Sequence, residues 1–330
     1  MANVDSIREE RAQLLLVAAL GMAVLFIALA LTLNTAIYTE NLATRGSDLA
    51  GGRDAVDYRV GMEHGVEPVI EVSNYNHNES ATTLERNLSA GVQDIDRLSR
   101  LHSAASGELT NTSLRSHVDG SRIIQASDGN FTDDEGNSSW TVANDISGSR
   151  NFWINVSSSE LTDSLDTAIF GNEVFVITFR EDSGEEWNVS VYRETGVSDD
   201  ISVMVGHDGS KFGPCSVSRS RARIDITGGT LGETPCPELG YLDNVTGQYS
   251  IFYNDTKTGS DQKTVNGTYE LIVDEPPPSI KDGQYHDDGS GEYPHPTPAI
   301  YSATIRTVYN TTRIQYLTEF RVIPGETLAN

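Results

Sequence analysis

The sequence has few of the residues that bind nucleic acid. Only four of its 330 residues are lysine, and 48 acidic residues against 23 Lys and Arg give a formal net charge of -25 and a pI of about 4.5. Because a chain of this charge repels the phosphate backbone, the sequence predicts no nucleic-acid partner. The same charge opposes compaction at low ionic strength and is screened in concentrated salt. A salt-loving source is the economical interpretation, and an ordinary acidic secreted domain is the alternative.

Catalytic and cofactor motifs are also lacking. The chain has no HExxH zinc motif, no GxSxG nucleophile elbow, no phosphate-binding Walker loop and no dinucleotide fingerprint. The histidines are scattered, and only His286, followed by Asp287 and Asp288, forms a cluster with metal-ligating residue types. We interpret that cluster as a solvated acidic loop. The sequence therefore predicts no enzyme, no cofactor and no metal.

One long apolar run extends from Leu14 to Leu33 and contains a single hydroxyl side chain, Thr32. A helix of about twenty residues, at ~1.5 Å per residue, covers the ~30 Å hydrocarbon core of a bilayer. We therefore expect a charged leader at residues 1–12, a transmembrane helix at 13–35, and the lipid bilayer as a partner. A cleaved secretory signal is the alternative, but its apolar region is usually only about 7–15 residues long.

The residues after this run have features of an extracellular domain. Arginines flank the run on both sides, so positive charge does not decide the orientation. Asn-x-Ser/Thr glycosylation acceptors occur only after the run. These candidate acceptors are Asn78, Asn87, Asn111, Asn130, Asn137, Asn155, Asn188, Asn244, Asn254, Asn266 and Asn310. Some arise by chance in a chain rich in Ser, Thr and Asn, but the set favours a single-pass protein of the cell membrane whose large C-terminal domain is extracellular.

Cys215 and Cys236 are the only cysteines, and each lies beside a proline. Two isolated cysteines in an exterior domain predict one disulfide that closes a loop. Two unpaired thiols are the alternative. A zinc site fits less well, because neither cysteine belongs to a CxxC pair or has a histidine close in sequence.

The first zone after the apolar run, residues 36–120, is predicted to be a helical stalk region. Its second helix starts near Thr82, where Thr82 and Glu85 form a capping box, and carries an apolar stripe. The stripe consists of Leu84, Leu88, Val92, Ile95, Leu98 and Leu101. It predicts a face that packs against a neighbouring helix or sheet. The segment Gly107–Asp119 has little apolar periodicity and is interpreted as a connection.

The second zone, residues 121–330, is predicted to be a β-rich exterior domain. Short alternating segments are separated by Gly, Asp and Asn, and the SGEE segment joins Val174–Arg180 to Trp187–Tyr192 as a hairpin. Regular spacing of this kind favours a mainly antiparallel sheet or sandwich. Glu275–Pro298 is rich in proline and glycine and is expected to be an exposed loop. The predicted fold class is α+β, with an N-terminal transmembrane helix, a helical stalk region and a mainly antiparallel β domain.

The junction before the apolar run is Arg11-Ala12-Gln13, a basic residue, a small residue and then the Gln that opens the helix. It resembles the prepilin signal of archaeal type IV pilin-like proteins, and the chain as a whole is similar to haloarchaeal pilin-like surface proteins. The resemblance implies cleavage between Ala12 and Gln13, a β-rich head on an N-terminal helix, and other pilin-like single-span proteins as partners. Val17 stands where many pilins have Glu, which favours a minor or accessory component. An uncleaved signal anchor is the alternative.

The sequence thus predicts a membrane-anchored extracellular surface protein, a minor or accessory pilin-like component with a structural or adhesive role. The second hypothesis is an exterior ligand-binding or sensory domain on a signal anchor. It requires a concave site with convergent polar groups. An enzyme is the third hypothesis and has no motif to support it.

Overall fold

The computed structural model describes residues 22, 26, 29, 52–76, 79–164, 174–197, 199–255, 264–280, 284–287 and 291–325. The helices are α1 (52–76), α2 (Ala81–Ala105) and the one-turn α3 (Pro277–Ile280). The strands, in chain order, are β1 Leu109–Asn130, β2 Ser139–Ile146, β3 Ser149–Ser157, β4 Asp163–Ser164, β5 Phe175–Glu181, β6 Glu186–Glu194, β7 Ile201–His207, β8 Ser210–Val217, β9 Arg221–Asp225, β10 Thr230–Leu231, β11 Thr234–Pro235, β12 Tyr249–Asn254, β13 Asn266–Val273, β14 His295–Asn310 and β15 Gln315–Val322. Two 3-10 segments, Ser158–Glu160 and Pro237–Asn244, follow β3 and β11.

The strands form two largely antiparallel sheets. Sheet A has the order β11-β10-β9-β3-β13-β1-β14-β15, and sheet B has the order β2-β12-β5-β6-β7-β8. The short strand β4 pairs with β6 and is parallel to it. The predicted hairpin of β5 and β6 is confirmed, with Phe179 opposite Trp187. Alternation in these strands places every second side chain in the space between the sheets.

The main core lies between the two sheets. Its buried side chains come from both of them, for example Ile154 of β3 and Leu271 of β13 in sheet A, and Ile177 of β5 and Val205 of β7 in sheet B. Aromatic rings fill its centre: Phe131 lies 5.0 Å from Tyr269 and 5.6 Å from Phe175, measured between ring centroids, in edge-to-face arrangements. This packing makes the two sheets a sandwich.

A second core joins the helices to the outer face of sheet A. Val66 and Ile70 of α1 and Leu84 and Leu88 of α2 are buried against β14 and β15, which contribute Ile300, Ala303, Ile305, Phe320 and Val322. The apolar stripe predicted for α2 is therefore a packing face in its first part. Towards the end of the helix Leu98 and Leu101 are 58% and 65% exposed, so the stripe extends further than the face that packs.

Helix α2 begins one residue before the predicted start. The side chain of Ser80 accepts a hydrogen bond from the Thr83 amide at 3.2 Å, and so satisfies one of the free N–H groups of the first turn. The capping box predicted from Thr82 and Glu85 is wrong, because Ser80 already occupies the N-cap position.

Strand β1 contains the segment that was predicted to be a connection. Residues from Leu109 pair with β14, and the part of β1 from Ser121 onwards pairs with β13. The prediction is wrong because the side chains that this segment buries are polar. Thr110 and Thr112 lie under α2, where the Thr112 amide donates to Asp96 Oδ1 at 2.7 Å, and this polar contact produces no apolar period in the sequence.

The predicted transmembrane helix and stalk are corrected by the structure. Among the described residues, no helix is long and apolar enough to cross a membrane. Helices α1 and α2 are amphipathic, and each lies with its apolar face on sheet A instead of forming a stalk. The structure therefore shows a small helical N-terminal part followed by a largely antiparallel β-sheet domain.

The rest of that prediction falls on residues that the structure does not cover. Within the range 13–35, the described positions are Met22, Phe26 and Leu29, which are helical and exposed. The leader at 1–12 and the other residues of 13–35 lie outside the described residues.

The predicted loop Glu275–Pro298 is also only partly a loop. It starts with α3, whose Ile280 is fully buried, and its last residues from His295 belong to β14. An apolar residue within a proline-rich segment can thus anchor the segment to the core.

Gly91 fixes the distance between α1 and α2. A Cβ atom at this position would lie 2.4 Å from Val69 Cγ1, whereas a Cβ atom at Gly61 on α1 would meet nothing within 4 Å. We expect Gly91→Ala to destabilise the protein by about 1–3 kcal/mol through overpacking. The matched variant Gly61→Ala should stabilise it by up to about 1 kcal/mol, because alanine is the better helix former. Urea unfolding of both purified variants measures the change in the free energy of unfolding that each causes. Equal changes would contradict the close approach of α1 to α2 at Gly91.

Candidate functional site

A cleft of about 300 Å³ opens at one end of the sandwich, between the two sheets and the end of α1. Sheet A and α1 contribute mostly polar residues, and sheet B with the adjoining 3-10 segment contributes mostly apolar ones. The lining residues are Glu71, Ser149, Arg150, Asn151, Phe179, Asp225, Ile226, Thr227, Gly228, Leu242, Asp243, Val245, Tyr249, Pro324 and Gly325. The volume is at the lower end of the range for small-molecule sites, about 300–1,000 Å³.

Arg150 is the buried cation of the cleft, with 4% of its surface exposed. Its Nε donates to the Tyr301 carbonyl and its Nη2 to the Ile300 carbonyl, each at 3.0 Å. Burial lowers the pKa of Arg150, and the negative charges of Glu71 and Glu270 act in the opposite direction. The guanidinium is therefore held by backbone carbonyls and not by a direct ion pair with a carboxylate.

The two carbonyls that hold Arg150 belong to a β-bulge in β14. Ser302 pairs with Val118 and Ile300 pairs with Asp119, so Tyr301 is the extra residue. The buried side chain of Asn74, from α1, bridges the bulge: its Nδ2 donates to the Ile300 carbonyl at 3.0 Å and its Oδ1 accepts from the Ile300 amide at 2.8 Å. The side chain of Asn74 thus pairs with the backbone of Ile300 as a residue of a neighbouring strand would.

Glu270 of β13 is the buried anion next to the cleft, with 3% of its surface exposed. Its Oε2 accepts a hydrogen bond from Arg122 Nη2 at 2.7 Å, and its Oε1 accepts from Tyr75 and from Asn151, each at 2.6 Å. The Arg122 guanidinium also lies 4.3 Å from the centroid of the Tyr75 ring. Burial and the hydrogen bond to Glu270 raise the pKa of Tyr75, so its hydroxyl remains a donor at neutral pH.

Asn151 has a left-handed backbone, with φ of 51°. It lies in a bulge of β3, where the pairing skips between Arg150 opposite Ile272 and Trp153 opposite Glu270. A non-glycine residue in this conformation costs of order 1–3 kcal/mol and persists where its surroundings hold it. Here the amide group of Asn151 is held by Glu270 and Tyr75, at 2.6 Å and 3.0 Å. Asparagine is among the residues that tolerate this conformation best.

The opposite side of the cleft is aromatic and aliphatic. Phe179 of β5 and Tyr249 of β12 have ring centroids 6.1 Å apart, and Leu242 and Val245 lie beside them. The Tyr249 hydroxyl donates to Ser149 Oγ at 3.0 Å, and burial raises the pKa of Tyr249 to about 12. This tyrosine is therefore neutral at any ordinary pH and acts as a hydrogen-bonding and packing group.

The acidic side chains of the cleft do not form a group of three potential metal ligands among the described residues. In the part of the chain that the structure describes, the single group of three potential ligands is Cys215, Cys236 and Glu238. Cys215 and Cys236 form a disulfide, as predicted, with Cα atoms 5.7 Å apart, so their sulfur atoms are not free to bind an ion. The disulfide ties β8 to the start of the 3-10 segment Pro237–Asn244, which forms part of the cleft wall.

The fold spreads the predicted glycosylation acceptors over α2, both sheets and the connecting segments, and it places Asn130 opposite Asn266 in the pairing of β1 with β13. Asn111, Asn130, Asn137 and Asn244 are exposed, and Asn87, Asn155, Asn188, Asn254, Asn266 and Asn310 are partly exposed. Asn78 lies outside the described residues, as do the predicted processing residues Arg11, Ala12 and Gln13.

The residues that build the cleft were missed by sequence reasoning. One signal for them was present: Glu270 is a charged residue inside the apolar strand TYELIV, which indicates a buried partner. Arg150 and Asn151 carried no such signal, because they precede their strand's apolar residues and look like turn residues.

Comparison with known proteins gives one family. A model described as a family of unknown function (DUF7261) matches residues 8–136, which is less than half of the chain. Of the cleft residues, the matched range includes Glu71 but not Arg150, Asn151 or Asp225. No curated protein and no solved structure matches the chain.

The ion pair of Arg122 and Glu270 should be essential to folding. Arg122→Met leaves the Glu270 carboxylate buried without its cation, and we expect a loss of about 3–5 kcal/mol in the free energy of unfolding. Arg115→Met is the matched control: Arg115 and Glu319 form an exposed pair, and its removal should cost about 1 kcal/mol or less. Urea unfolding compares the two, and equal losses would show that the buried carboxylate does not need the arginine.

Proposed function

We propose that this chain acts outside the cytoplasm as a cell-surface protein with a structural or adhesive role. The observation that carries the proposal is the disulfide between Cys215 and Cys236. Structural disulfides persist in oxidising surroundings and are rare in the cytosol. The asparagines of the glycosylation motifs support it, since every one that the structure describes is at least partly accessible.

Within this role we propose a minor or accessory pilin-like component. The support is the Arg11-Ala12-Gln13 junction followed by the apolar run, with cleavage after Ala12 and other pilin-like proteins as partners. The chain would then act by assembly and not by catalysis. The scattered histidines and the lack of catalytic motifs in the sequence agree with this role.

An exterior ligand-binding domain is the second candidate. The cleft supports a binding role, because polar groups from α1, β3 and β9 line one side of it and apolar residues line the other. The two roles are compatible, since an adhesive surface protein can also bind a ligand.

The surface role predicts that the disulfide exists in the cell. Cells are quenched in acid, and the denatured, unreduced protein is treated with a maleimide. Intact mass should show no label on the wild type and two labels after reduction, because both sulfurs are bonded to each other. Cys215→Ser is the control, in which Cys236 should be labelled without reduction. Two labels on the unreduced wild type would contradict the surface role.

The pilin-like role predicts N-terminal processing. In a strain with an active prepilin peptidase the mature N-terminal peptide should begin at Gln13, and Arg11→Ala should leave unprocessed protein in the cell. Val17→Ala changes an apolar residue beyond the junction and should leave processing intact. Mass spectrometry of the N-terminal peptide shows, for the wild type and for each variant, at which residue the protein begins. A wild-type peptide that still begins at Met1 or Ala2 would exclude the pilin-like role and leave the surface role in place.

A further inference from the structure

We propose that the cleft binds a neutral polyhydroxylated ligand, the size of one sugar ring, through the free carboxylates of Glu71 and Asp243 and the apolar wall of Phe179, Leu242, Val245 and Tyr249. The proposal gives a ligand class to the exterior binding role, and to that extent it rests on the proposed function. Its evidence is the chemistry that the cleft leaves unsatisfied.

The cleft offers both acceptors and donors that the fold does not use. Within the described residues, the carboxylates of Glu71 and Asp243, the Asn151 Oδ1 and the Arg150 Nη1 make no hydrogen bond. Arg150 and Asn151 are fixed by their other hydrogen bonds, so the Arg150 Nη1 and the Asn151 Oδ1 are held in place before any ligand enters. A hydroxyl group can donate to one carboxylate and accept from the guanidinium at the same time.

The cleft also has an apolar side, which a simple ion or a fully polar ligand would not use. Leu242 and Val245 are partly exposed on this side, and the rings of Phe179 and Tyr249, which are 4% and 7% exposed, lie beside them. A sugar ring has C–H groups on its faces and hydroxyl groups around its edge. Such a ring can lie with one face on the apolar wall and direct its hydroxyls to the polar side.

Other ligand classes fit this lining less well. The Asp225 carboxylate is already paired with Arg223 and accepts a hydrogen bond from the Gly228 amide. The two carboxylates that remain, those of Glu71 and Asp243, outnumber Arg150, so the field disfavours an anion. Among the described residues, the three carboxylates are not a group whose ligand atoms all lie within 4.8 Å of one another, so the lining gives no support for a metal ion. A cationic amine would be repelled by the buried charge of Arg150.

The test is ligand-observed NMR and calorimetry on the purified full-length protein. The probes are glucose, galactose, mannose and N-acetylglucosamine, with putrescine as the cationic probe and citrate as the anionic probe. We expect at least one sugar to bind saturably and neither charged probe to bind more tightly than that sugar. The absence of binding by all four sugars would overturn the proposal, and so would tighter binding of putrescine or citrate.

Substitutions at three exposed acidic residues locate the binding site, two in the cleft and one outside it as a control. Glu71→Ala and Asp243→Ala should each weaken sugar binding about tenfold or more, because each removes a charged hydrogen-bond acceptor. Asp134→Ala is the matched control: Asp134 is exposed in the loop after β1, does not line the cleft, and should leave the affinity unchanged. Sugar binding that survives both cleft substitutions would place the ligand elsewhere and overturn the proposal.

The outcome is independent of the surface role. Binding is measured on purified protein, so it does not depend on where the chain is found in the cell. Reduced cysteines in the cell would remove the surface role and leave sugar binding intact, whereas a failure of all four sugars would leave the surface role intact.

Discussion

The buried carboxylate of Glu270 constrains everything around the cleft. A charge in the interior of a sheet is tolerated only when its hydrogen bonds are complete. Three elements supply them: Arg122 from β1, Asn151 from β3 and Tyr75 from α1. The position of α1 on sheet A is therefore fixed by polar contacts at its end as well as by the apolar contacts of Val66 and Ile70 along its length.

The same contacts turn irregular backbone into a defined site. A bulge in β3 places Asn151 against Glu270, and a bulge in β14 turns the Ile300 and Tyr301 carbonyls to Arg150. Without Arg150 the Tyr301 carbonyl would lose this hydrogen bond next to the core, and without Glu270 the side-chain amide of Asn151 would lose one of its two partners. Because Arg150 and Asn151 are paired in this way, these two side chains on the polar side of the cleft are held in place before a ligand enters.

Local patterns in the sequence predicted local structure well. The alternation in Phe175, Ile177 and Phe179 gave β5 and its hairpin with β6, and two cysteines in isolation gave the disulfide. The apolar run led to the prediction of a transmembrane helix, although no helix among the described residues is long and apolar enough to cross a membrane, and α1 and α2 lie with their apolar faces on sheet A. The residues of the cleft come from six or more separate segments of the chain. The site was missed because a single sequence does not show which segments contact one another. For the same reason β1 was missed, since its buried threonines are recognised only by the helix above them.

The pairing of β1 with β14 has a consequence for biosynthesis. Leu109 pairs with Asn310, and the apolar faces of α1 and α2 are covered by Ile305 and Phe320, which the ribosome adds long after it has made the helices. The helices therefore wait for these partners, because contacts of such long sequence separation form late. A nascent chain that has not reached β14 exposes Val66, Ile70 and Leu84 to solvent, so shielding of the helical part until β14 and β15 emerge is part of what this topology demands of the cell.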